Sequence, residues 1–227
     1  MQTMAEAQST ERPAPPAART VAGRFLASRL GSLFAILPLG VWTTHHLWNN
    51  LAAFDSPAAW QDAVTGTRTE STASHAITAI VVLGPLLWHT VWGMMRMFRS
   101  RPKVNEGHFS NLRYIVQRLS AVGLLLFLGA HLYLAWIQPR FLLGRAEPFS
   151  EIAREMHHHL PTLAVYLLGV LAMAYHLANG LWSFSMGWGI TVGKTALDWM
   201  ERLAMAAFVI VLALGWAGVY ALYQAGA

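Results

Sequence analysis

Long stretches without an acidic or basic side chain alternate along this chain with short charged ones. Leu30–Phe54 and Ser71–Met95 each run 25 residues without Asp, Glu, Lys or Arg, Leu119–Pro139 runs 21, Leu160–Gly193 runs 34 and Leu203–Ala227 runs 25. A helix of roughly 20 apolar residues crosses a bilayer core of about 30 Å, so every run is long enough to do so. The pattern predicts an all-α fold, an integral membrane bundle of five transmembrane helices. The segments Asn49–Ser74 and Gln138–Leu160 between them are expected to include short surface helices. Residues 1–22 are rich in Ala, Pro and small polar residues, with no apolar stretch to serve as a signal-peptide core. They read as a disordered tail, leaving 23–227 as one transmembrane domain.

Charge gives the bundle an orientation. Only 12% of the 227 residues are charged, against about 25% in an ordinary soluble domain. Twelve of the sixteen Lys and Arg residues fall on one side: the tail up to Arg29, the loop Arg96–Arg118, and the turn with Lys194 and Arg202. Arg68, Arg140, Arg145 and Arg154 fall on the other. Basic residues concentrate on the cytoplasmic side of membrane proteins, which predicts a cytoplasmic N-terminus and, with five spans, a C-terminus outside. The sequence pI of about 10.0 reflects this flanking of the spans. It does not indicate nucleic-acid binding, because the basic residues are not interleaved with aromatics on a polar surface.

The chain has no cysteine. Thiolate-ligated iron–sulfur clusters, disulfides and CxxCH haem attachment are therefore excluded, and a ligated redox metal would rest on histidine or methionine. Five of the ten histidines, His45, His46, His89, His131 and His176, fall well inside the apolar runs. An ionisable side chain is costly there and marks a candidate functional site. Counting from the charged ends at 1.5 Å per residue, His46 and His131 lie roughly 25 and 20 Å from the inner edge, and His89 and His176 roughly 10 and 8 Å. The depths define an outer pair on the first and third helices and an inner pair on the second and fourth. Each pair suits the axial imidazoles of a b-type haem held between helices. Gly84, Gly93, Gly123, Gly129 and Gly180 would let a macrocycle approach, although close helix packing accounts for such glycines equally well. Any single histidine is also explained by an interhelical hydrogen bond, and spacing does not choose between the neighbours His45 and His46. His157, His158 and His159 read as an exposed run, and His108 as part of a basic loop.

At these residues the chain resembles the five-helix, two-haem cytochrome b subunit of succinate:menaquinone oxidoreductases and related fumarate reductases, over roughly residues 24–222. The strongest piece is YHLANGLWSFSMGWGITVG at 175–193. RLGSL at 29–33, HHLWNN at 45–50, PLLWHTVWG at 85–93 and VQRLSAVGLLLFLGAH at 116–131 support it. The resemblance implies that a His-Leu-x-x-Asn pattern begins at His46, with His131 as its partner around an outer haem, and that His89 and His176 hold an inner haem. It further implies a membrane-anchor subunit of succinate dehydrogenase, itself without dicarboxylate chemistry, in a bacterial cytoplasmic membrane. A flavoprotein and an iron–sulfur subunit would dock on the cytoplasmic face near Arg96–Arg118, and electrons would pass through both haems to menaquinone or another quinone.

Arg29 and Arg118 are candidates to neutralise propionates of the inner haem, with Ser32 as a donor on the face of Arg29 and Gln117 as a further candidate. Interfacial anchoring is the competing role for the arginines. Glu70 and His75, near the outer end of the second helix, are candidates to relay protons to quinone, although Glu70 would serve equally well as a helix cap. Three other readings compete: a fumarate reductase anchor running in reverse, the cytochrome b subunit of a hydrogenase or formate dehydrogenase, and a haem-free, histidine-lined transporter.

Overall fold

The computed structural model describes Gly23 and residues 29–65, 76–99 and 108–227, and all regular structure among them is helical. The tail 1–22, Glu70 and His75 lie outside the described residues. The helices are α1 (29–54), α2 (57–65), α3 (Ala76–Arg99), α4 (108–142), α5 (Phe149–His158), α6 (Leu160–Gly187) and α7 (Lys194–Ala225).

Proline shapes three of the long helices. Widened π-type turns occur at Ala35–Gly40 around Pro38, at Ala79–Leu83 just before Pro85, and at Tyr133–Leu142 around Pro139. Proline has no N–H to give the carbonyl four residues back and its ring crowds that carbonyl, so the helix widens there. Buried in an apolar medium, a freed carbonyl needs another donor. At Pro139 that donor is Arg140, whose Nη1 donates to the Ala135 carbonyl at 3.3 Å.

α3, α6, α7 and the Leu112–Leu142 stretch of α4 are long and apolar enough to cross a membrane. α1 is helical without a break, but Thr43, Thr44, His45, His46, Asn49 and Asn50 make its second half more polar. α6 packs against α4, α7 and the Ala35–Gly40 stretch of α1, and α7 packs along the second half of α1. Small residues allow the close approaches: Gly169 lies against Phe127, Gly215 against Val170, and Gly123 faces Ala172. The reversal between α6 and α7 uses Gly189 and Gly193 at φ of 68° and 92°, where a side chain would be strained.

The expected surface helices are α2 and α5, and together they cap one end of the bundle. Ser56 starts α2, its Oγ accepting from the Ala59 N–H at 3.1 Å with Pro57 in the first turn. Trp60, Phe149, Ile152 and Met156 then bury themselves against Val219 and Leu222 of α7. Asn50 ties this cap to α1, since its Nδ2 donates to the His46 carbonyl at 2.8 Å and its Oδ1 accepts from Trp60 Nε1 at 3.1 Å. The triple histidine is not uniformly exposed as expected. His157 Nδ1 donates to the Tyr223 carbonyl at 2.9 Å, fastening α5 to the end of α7, while His158 and His159 face outward.

Candidate functional site: two histidine pairs between separated helices

His46 of α1 and His131 of α4 face each other near the capped end, with ring centroids 6.1 Å apart. His89 of α3 and His176 of α6 do the same nearer the opposite end, also at 6.1 Å. Among the described residues, α1 and α4 make few close backbone approaches to one another, and so do α3 and α6. Each pair therefore joins its two helices through side chains more than through close backbone packing. The structure also separates the neighbours on α1, for His46 points at His131 while His45 is exposed.

The flanking groups hold the rings in place. His46 stacks on Trp42 at 4.9 Å and His131 on Phe127 at 5.5 Å, each one helical turn earlier. Three of the four rings have a polar partner at Nδ1. His89 Nδ1 lies 3.2 Å from the Gly31 carbonyl, His131 Nδ1 lies 3.2 Å from the Tyr166 hydroxyl, and His176 Nδ1 lies 3.2 Å from Gln117 Nε2. A carbonyl only accepts, so His89 carries its hydrogen on Nδ1 and keeps a lone pair on Nε2. A hydrogen-bond partner of this kind on the far ring nitrogen fixes the tautomer of a metal-binding histidine.

Gly93 and Gly180 each follow a histidine of the inner pair by four residues and share its helix face. A Cβ built at either position meets nothing within 4 Å. These two glycines leave room beside His89 and His176. The remaining three do not form this arrangement: Gly123 is taken up by packing on Ala172, Gly84 meets only the Ala79 carbonyl of its own helix, and Gly129 lies two residues before His131, on the other side of the helix.

The groups expected at the inner end are brought to the same region. Arg29 lies with its guanidinium over Trp188 at 5.9 Å, two residues before the Gly31 that meets His89. Arg118 stacks on Tyr114 at 4.2 Å, next to the Gln117 that meets His176. Ser32 donates to the Arg29 carbonyl at 2.9 Å and accepts from Trp188 Nε1 at 3.0 Å, so its O–H would have to turn to serve another acceptor. Among the described residues, the indole nitrogens of Trp92 and Trp182 are buried without a partner.

Tyr166, Asn179 and the Gly31 carbonyl were not singled out from the sequence. Tyr166 had a readable signal, since it stands ten residues before His176 on one helix and so roughly 15 Å farther toward the capped end, in the His131 layer. The Gly31 carbonyl had none.

An imidazole nitrogen binds a metal at about 2.0–2.1 Å and lies roughly 1.1 Å from its ring centroid, so two imidazoles flanking one metal have centroids about 6.3 Å apart. Both pairs meet that spacing. Among the described residues no third His, Asp or Glu joins either pair.

One carboxyl outside the spans is perturbed. Burial, and then the neighbouring Glu151, push Glu147 up from 4.5 to about 7, with Arg140 and Arg145 pulling the other way. Between about 4.5 and 7 the folded loop holds a proton that the opened loop releases, so stability of the loop falls as pH rises through that window and levels off above it. Hydrogen exchange at 143–153, corrected for intrinsic rates, is expected to show more protection at pH 5.5 than at pH 8 on the order of several-fold. Glu147→Gln is expected to remove most of that difference, and an undiminished difference would assign it to another group.

Two comparisons bear on the family of this chain. Residues 101–216 match the family model described as the Succinate dehydrogenase/Fumarate reductase transmembrane subunit, a stretch that contains His131 and His176. The succinate dehydrogenase cytochrome b558 subunit of Bacillus subtilis (strain 168) is 28% identical over 209 residues, covering 88% of this chain and 96% of that protein. With its apolar helices and a match over half its length, this chain belongs to the succinate dehydrogenase/fumarate reductase transmembrane-subunit family.

Proposed function

We propose that this chain spans a bacterial cytoplasmic membrane five times, N-terminus inside, and carries electrons from an iron–sulfur subunit through two b haems to a quinone. The carrying observation is the pair of facing imidazoles at 6.1 Å, found twice, across helices that make few close backbone approaches among the described residues. A b haem supplies a one-electron couple, and the rest is work for the protein. His46 and His131 would hold the group near the capped end, His89 and His176 the one near the basic end. Gly93 and Gly180 would admit the inner macrocycle. Arg29 and Arg118 would face its propionates, together with the unpartnered indoles of Trp92 and Trp182.

The concentration of basic residues opposite the cap supports a cytoplasmic N-terminus and an outside C-terminus. Flavoprotein and iron–sulfur subunits would dock near Arg96–Arg118. Menaquinone or a related quinone would react near the outer pair, with Glu70 and His75 as its proton relay. The dicarboxylate would be handled entirely by the partner subunits.

A reduced-minus-oxidised spectrum of the detergent-extracted complex tests the reading. The expected result is b-type bands, about two haems per chain, with a flavoprotein and a cysteine-rich iron–sulfur protein copurifying. A preparation with both partners absent and no haem bands would overturn it.

A further inference from the structure

Gln117 of α4 sits between two groups of α6 one turn apart. Its Nε2 is 3.2 Å from His176 Nδ1 and donates to the His176 carbonyl at 3.3 Å, while its Oε1 accepts from Asn179 Nδ2 at 2.9 Å. In this orientation Gln117 gives a hydrogen to Nδ1, and a neutral ring then carries its own hydrogen on Nε2. That ring cannot bind a metal through Nε2. The two ends of each amide have nearly the same size, so reversing both amides exchanges their oxygen and nitrogen positions without changing the shape that is packed. His176 Nδ1–H then donates to Gln117 Oε1, Gln117 Nε2–H donates to Asn179 Oδ1, and Nε2 of His176 is free to ligate. The exchange gives up the 3.3 Å bond to the His176 carbonyl and sets Gln117 Oε1 against that carbonyl oxygen, a cost that ligation through Nε2 has to offset. His89 has no such second state, because its Nδ1 faces a backbone carbonyl.

We propose that Gln117 and Asn179 are positioning residues for His176: a two-amide relay that selects its metal-binding tautomer and sets the reduction equilibrium of the inner haem. This rests on the two-haem reading above. An acceptor at Nδ1–H gives the imidazole imidazolate character and favours the oxidised metal. A stronger acceptor than the amide lowers the inner midpoint, and no acceptor raises it. Asn179 acts one step back, by occupying the Gln117 nitrogen so that its oxygen faces the ring.

The test is a spectroscopic redox titration of the intact complex from native protein, Gln117→Glu, Gln117→Leu and Asn179→Leu, with haem content measured on each. Gln117→Glu is expected to shift the inner-haem reduction equilibrium about tenfold toward the oxidised form, about 59 mV for a one-electron couple. Gln117→Leu is expected to shift it the opposite way, Asn179→Leu in the same direction as Gln117→Leu but by less, and the outer haem in none of them. If Gln117→Leu loses its inner haem, Gln117→Glu decides alone, a lowered inner midpoint supporting the relay and a native one overturning it. Shifts of the same sign in both Gln117 variants would show only general disturbance and would also overturn it. Native complex without haem bands would instead defeat the two-haem reading, and the relay with it.

Discussion

Replacing His46 with alanine is expected to remove one of two haems, halving the haem per chain, whereas replacing His45 is expected to remove neither. The two residues are adjacent and chemically identical, so composition and depth do not distinguish them. The structure does: the His46 ring stacks on Trp42 at 4.9 Å and meets His131 edge-on at 6.1 Å, while His45 is exposed. On the two-haem proposal, losing one of the two imidazoles leaves the group a single point of attachment. His131→Ala is expected to match His46→Ala in its spectrum, and His89→Ala to match His176→Ala with the other haem missing. Pyridine haemochrome content and low-temperature spectra of the four variants check the pairing. Retention of both haems in His46→Ala, with loss in His45→Ala, would reverse the ligand choice. Matching spectra from His46→Ala and His89→Ala would dissolve the two pairs.

Depth along a helix is a one-dimensional quantity, and it was legible. Counting residues from the charged ends grouped His46 with His131 and His89 with His176, and the rings do meet in those pairs. Four of the five uncharged runs likewise located helices long and apolar enough to cross a membrane, whereas the run at 30–54 forms a helix with a polar second half. Whatever depended on helix rotation or on a neighbouring helix was not legible. Gln117 reads from the sequence as a polar residue beside Arg118 at a helix end, and only the approach of α6 places it against His176. The Gly31 carbonyl has no side chain to announce it. Asn50 belongs to the motif that begins at His46, and in the fold its side chain joins the His46 carbonyl to Trp60 of the cap. Glycines show the limit most plainly, since residue type is constant while the reason differs: Gly169 and Gly215 exist for helix contact, Gly189 and Gly193 for backbone angle, and Gly93 and Gly180 border open space.

That difference among glycines gives the second large effect. Gly180→Leu is expected to leave a folded, membrane-inserted chain that has lost most of its inner haem. A Cβ at 180 meets no atom within 4 Å, so the protein itself offers no clash, and leaving glycine gains up to about 1 kcal/mol of helix propensity. A macrocycle gripped by His176 would lie on the same helix face, where forcing in extra methylenes costs about 1–3 kcal/mol, roughly 5- to 150-fold in affinity. Gly180→Ala adds one carbon and is expected to lose little. Gly93→Leu carries the same expectation from the His89 side. Gly169→Leu is the contrasting control: its side chain would run into Phe127, lowering the yield of folded protein instead of emptying one haem site selectively. The measurement is the ratio of inner to outer haem in protein of equal monodispersity. An unchanged ratio in both Gly180→Leu and Gly93→Leu would mean that the open space beside the inner histidines faces lipid, and the macrocycle would have to enter from the other side of the rings.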